Sequence, residues 1–106
     1  MVTTKNGIEE MRRRIVARFD PDKIILFGSH GRGQARTGSD VDLLIVMNVK
    51  GSVREMRLAV RRLVRDIAVP KDIIITTPKD FEWRKEIPGT IERPASIEGE
   101  ELYART

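Results

Sequence analysis

The sequence predicts an α/β (α+β) domain, a sheet of short apolar strands with helices packed against it. Three short β-branched runs, KIILF at Lys23–Phe27, VDLLIV at Val41–Val46 and DIIITT at residues 72–77, are bounded by turn residues, as buried strands are. Two segments, near residues 8–19 and 52–67, carry apolar side chains at helical spacing. The resulting order is helix, strand, loop or short helix, strand, helix, strand and tail, which places helices between strands of one sheet.

In GIEEMRRRIVARFD, residues Ile8, Met11, Ile15 and Phe19 form an apolar stripe opposite Arg12, Arg13, Arg14 and Arg18. Pro21 ends this helix. KIILF then stops at Gly28, and Gly28-Ser29 is a point where a strand can turn into a helix. The second helix opens at Ser52, which with Glu55 makes a capping box, and Val53, Met56, Val60, Leu63, Val64 and Ile67 line one face. Pro70 closes it, and Pro78 ends the third strand. The tail is interrupted by Pro88 and Pro94; it predicts a short helix at 80–85 and a strand or turn near Leu102. The strand order stays open at this stage.

With 106 residues the chain has room for one domain, 1–106. No apolar run approaches the roughly 20 residues of a membrane span, and the N-terminus lacks an apolar signal stretch. A cytoplasmic protein with no membrane partner is expected. There is no cysteine, which excludes disulfides, thiolate catalysis and cysteine zinc sites, and the one histidine, His30, cannot build a histidine metal site. Any metal must therefore sit on carboxylates. The net charge of +4 permits anionic partners. A nucleic-acid partner is not expected, because the chain lacks the interleaved aromatics on which bases stack. Arg54, Arg57, Arg61, Arg62 and Arg65 fall off the apolar stripe of the second helix and read as a solvated face.

The chemistry concentrates in LFGSHGRGQARTGSDVDLLIV. In an extended strand residues two apart share a side, so Asp40 and Asp42 project together. Two close carboxylates repel unless a cation neutralises them, and with no softer ligands at hand a hard, oxygen-loving ion is the natural candidate, of which Mg²⁺ fits best. Magnesium completes its shell with water and substrate phosphates, so the pair implies a phosphate-bearing substrate. Gly28 lets backbone approach a phosphate, and Ser29 can donate its hydroxyl. Arg32 and Arg36 can grip phosphates, although an arginine in a polar loop is more often only solvated; Arg32 joins Gly28 and Ser29 as a nucleotide-binding candidate.

A Gly-Ser turn, ten intervening residues, then Asp-Val-Asp and an apolar strand together resemble the DNA polymerase beta-like nucleotidyltransferase superfamily. Within it the stretch is most similar to the minimal nucleotidyltransferases (MNT), with Gly31 in place of the usual alanine and His30 in place of the frequent aromatic. The resemblance runs over residues 21–77, and IEGEELYA is similar to the Glu-Gly-x-x-Leu-Tyr ending of the group. It implies a palm-like mixed sheet and a third carboxylate, matched by Asp72 at the start of DIIITT. Asp72 alone reads equally well as a turn residue after Pro70-Lys71; on a strand beside Asp42 it would share a face with Ile74 and Thr76. By this resemblance Asp40 and Asp42 hold two Mg²⁺ ions, Asp72 completes the second site and takes the acceptor's proton, and AMP is transferred from ATP. The resemblance also implies a HEPN-type toxin as partner, with this chain as the antitoxin. An antitoxin that acts by occlusion and a nucleic-acid-binding protein are the alternatives, and a homo-oligomer is a further partner to consider.

Overall fold

The computed structural model describes residues 3–28 and 40–105. Helix α1 (Thr4–Phe19) is capped by Thr3, whose Oγ1 accepts from the Asn6 amide at 3.1 Å. It ends at Asp20, which takes a left-handed conformation (φ 47°) while its amide donates to Val16 O. Strands β1 (Lys23–Phe27) and β2 (Val41–Val46) follow. Helix α2 (Val53–Val64) opens as the capping box requires, with Ser52 Oγ accepting from the Glu55 amide at 3.0 Å. Strand β3 (Lys71–Thr76), helices α3 (Pro78–Arg84) and α4 (Glu92–Glu98), and strand β4 (Glu100–Ala104) complete the described elements.

The strands form one mixed sheet in the order β3-β2-β1-β4. β1 runs antiparallel to both β2 and β4, whereas β2 and β3 are parallel. A parallel pair needs a crossover connection, and α2 supplies it. This is the expected α/β architecture with its mixed sheet.

The apolar runs are continuous because both faces of the sheet are covered. On one face Ile24, Leu26, Val41, Leu43, Ile45 and Ile73 meet Met11 and Ile15 of α1 and Val60 and Val64 of α2. On the other, Ile25, Leu44 and Val46 meet Phe81 of α3 and Ala95 of α4, with Phe27 and Ile74 at the margin. Consecutive residues of β2 from Leu43 to Val46 are therefore buried in turn against opposite layers. No helix among the described residues is long and apolar enough to cross a membrane.

The tail departs from the expectation in two places. α3 begins at Pro78, ahead of residue 80, because Thr77 caps it and Pro78 occupies the first helical position, where its missing amide is harmless. α4 was not expected, since Pro94 reads as a breaker; the proline lies in the helix's first turn, where no intrahelical donor is needed. The strand-or-turn near Leu102 is β4, a strand on the sheet edge.

Candidate active site

The site is assembled at one end of the sheet, where three strands place side chains on the face that carries Leu44 and Ile74. Asp42 is in register with Phe27 of β1 on one side and with Asp72 of β3 on the other. Adjacent strands lie about 4.8 Å apart, so the two aspartates stand side by side on the same face. Both are half-buried. Asp40 immediately precedes β2 and is exposed.

Gly28 closes this corner from the end of β1. Its φ is +72°, a region that L side chains avoid, and a Cβ built there would run into the Asp42 carboxylate, with Cγ only 3.4 Å away. Glycine is required here twice over, for the turn and for the space beside Asp42.

Arg57 reaches the same corner from α2. Its Nε donates to Ile73 O at 2.8 Å, and its Nη2 lies 3.4 Å from Asp72 Oδ1. The carbonyls of Pro70 and Thr76 accept from β2, so the even-numbered carbonyls of β3 face the sheet and Ile73 O faces its open edge. Arg57 thus satisfies an edge carbonyl and places a cation beside Asp72. Sequence reasoning assigned it to a solvated face. The available signal was its position on the border of the apolar stripe, next to Met56 and one turn before buried Val60.

Asp42 and Asp72 are therefore brought together, with Gly28 beside Asp42. Ser29, Arg32 and Arg36, like His30 and Gly31, lie outside the described residues. The donor chemistry of Asp40, Asp42 and Asp72 is carboxylate oxygen alone, which suits a hard ion such as Mg²⁺. Among the described residues no three acidic, histidine or cysteine side chains converge as a metal cluster. Asp72 is instead shared with Arg57.

The mixed sheet with helices on both faces defines a small α/β domain with two acidic side chains paired at one end of its sheet. The nucleotidyltransferase domain family matches residues 8–96, and the chain belongs to that family. Its fold is similar to that of a Sulfolobus solfataricus chain described as a candidate nucleotidyltransferase, with a TM-score of 0.67 and 20% identity over 93% of this chain and 78% of the other. It is also similar to a chain of a toxin–antitoxin structure with AMP-PNP, with a TM-score of 0.62 and 18% identity over 98% of this chain and 76% of that one. No curated protein sequence matches it.

Proposed function

We propose that this nucleotidyltransferase uses Mg²⁺ to transfer AMP from ATP to a hydroxyl on a partner protein, and that the partner is a HEPN-type toxin which the chain restrains as an antitoxin. The observation that carries the reading is the register of Asp42 with Asp72 beside a glycine that a side chain could not replace. The toxin–antitoxin neighbour with AMP-PNP supports both the nucleotide and the partner.

Asp40 and Asp42 would hold two ions, and Asp72 would complete the second site. Bound there, Mg²⁺ would supply positive charge to stabilise an in-line displacement at phosphorus. Gly28 admits the triphosphate close to the backbone, and Ser29 and Arg32 are the groups proposed to hold it. The acceptor oxygen forms a bond to the α-phosphorus as the bond to the pyrophosphate oxygen breaks. The acceptor's proton passes to the Asp72 carboxylate, and pyrophosphate leaves.

A second reading, silencing by binding alone, is favoured by the guanidinium of Arg57, which already balances part of the charge on Asp72. One experiment separates the two. ATP labelled at the α-phosphate is incubated with Mg²⁺, the HEPN-type protein and either the wild-type chain or Asp42→Asn. Transfer predicts label on the partner with wild type, lost by orders of magnitude in the variant. A partner that stays unlabelled yet is silenced at equal stoichiometry establishes occlusion instead.

A further inference from the structure

We infer that the outer face of α2 docks an acidic, leucine-bearing segment of the acceptor protein; this rests on the reading that the acceptor is a protein. Met56, Val60, Leu63 and Val64 turn toward the sheet and α1, leaving Arg54, Leu58, Arg61, Arg62 and Arg65 exposed. Arg54, Arg57, Arg61 and Arg65 follow one another at steps of three, four and four residues, so they form a single stripe along the helix.

The stripe differs from the arginines of α1 in its charge balance. Arg12, Arg13 and Arg14 are each paired, with Glu9, Glu10 and Asp66. Among the described residues, Arg54, Arg61, Arg62 and Arg65 meet no carboxylate. Asp66, at the end of the same helix, is already taken by Arg14. Among the described residues, the chain's own acids thus pair three of the four arginines of α1 but only Arg57 of the five on α2 and its end.

Between α2 and the start of β3 lies an open groove of about 370 Å³, lined by Leu58, Arg61, Arg62, Arg65, Val69 and Pro70. Lys71 also lines it, but its ammonium donates to Ile67 O at 2.7 Å and Val69 O at 3.3 Å, so the arginines are the cations left for a ligand. Leu58, 37% exposed, and Pro70 give the groove apolar ground between the guanidinium groups. Arginine mixed with apolar side chains is the composition of a protein interface. The lining has no aromatic on which a base could stack. An acidic peptide with leucines matches both the charge and the apolar ground.

The stripe also passes the candidate site. Arg57 touches Asp72, and Arg65 lies about 12 Å further along the helix at 1.5 Å per residue. A segment held along that length has one end beside Asp72, where its protein's hydroxyl is needed.

The test uses the full chain without ATP or metal, so its outcome is independent of whether transfer occurs. Fluorescence anisotropy at about 0.15 M salt follows three labelled probes: a short peptide of alternating glutamate pairs and leucines, its serine-for-leucine analogue, and a single-stranded DNA oligomer of equal charge. The leucine peptide should bind saturably. Affinity should fall about ten-fold in the Arg61→Glu/Arg65→Glu chain and about three-fold in Leu58→Ser, the latter for the leucine peptide only. Arg13→Gln on α1 should leave it unchanged. Circular dichroism confirms that the exposed substitutions keep the fold. Absence of binding, or binding that survives the double charge reversal, overturns the proposal. So does tighter binding of the DNA with no response to Leu58→Ser, which would make the groove a phosphate-backbone surface.

Discussion

At Gly28 two constraints coincide, and they make different demands on a replacement. A positive φ costs a non-glycine residue on the order of 1–2 kcal/mol, and a Cβ also enters the space of the Asp42 carboxylate. Gly28→Val is expected to lower the thermal midpoint and to abolish nucleotide binding, as scanning and titration calorimetry with ATP would show. At Gly89, where φ is +93° and a Cβ would meet nothing within 4 Å, a change to Asn should cost far less. Arg57 makes a second single-residue case. Its contacts are half-exposed, so Arg57→Ala should cost at most about 1 kcal/mol. If Arg57 positions Asp72, the same change alters kcat for transfer while KM for ATP holds, and Arg57→Lys does not restore it, because an ammonium cannot span Ile73 O and Asp72 with the guanidinium's fork. Equal kinetics in all three chains would reduce Arg57 to a cap on the sheet edge. Strand alternation is what makes the sequence expect Asp40 and Asp42 on one side. Asp72 is ambiguous there as a turn residue, and the parallel register is what sets it beside Asp42. Arg57 was not legible, since a helical period gives the face of a side chain but not the carbonyl it will meet on a later strand.

Among the elements, those with strong period or capping chemistry follow the sequence closely. The Ser52 cap starts α2, and the three β-branched runs become β1, β2 and β3. The tail was harder to read because its helices are short and each carries a proline in the first turn, so the residue that usually signals a break here lies at a start. What holds α4 in place is a contact no local pattern contains. Thr76 at the end of β3 donates its hydroxyl to Glu92 Oε2 at 2.8 Å, and Arg84 of α3 lies 3.9 Å from the same oxygen. Thr76 and Glu92 are 4% and 6% exposed, so removing one partner leaves the other's polar group with little access to water. Glu92→Ala is expected to destabilise by about 1–3 kcal/mol in urea titration. Replacing both with the apolar pair Thr76→Val and Glu92→Leu should recover part of the loss. If the single change costs nothing, the contact does not anchor α4.

Across the molecule, strand order was the feature a single sequence left open, because it depends on which edges the helices and β4 cover. The charge network joining α1 to α2 shows a similar long-range dependence, and it contributes to the acid response. Arg14 of α1 pairs with Glu10, reaches Asp66 beyond the end of α2, and donates to Leu63 O at 3.1 Å. Hydrogen bonds from Arg13 and then Arg14 bring the Glu10 carboxyl down from its ordinary 4.5 to about 2. Arg14 likewise lowers Asp66, and Arg12 lowers Glu9. Each folded-state pKa lies below its unfolded value, so the unfolded chain binds more protons and stability rises with pH through this window. The contribution is fully present above about pH 4.5 and is lost as the pH falls toward 2. These groups face solvent, so salt screens them and the effect is small for each pair. In Arg14→Met, Asp66 loses its principal partner while Glu10 keeps Arg13. The variant should therefore be less stable than wild type at pH 6, and the difference should narrow as the pH falls from about 4.5 to 2. Raising the salt concentration should shrink the gap at pH 6. Urea midpoints across this range provide the measurement, and a difference that stays constant with pH would show that Arg14 acts through packing and its bond to Leu63 O, with no part played by the carboxylates.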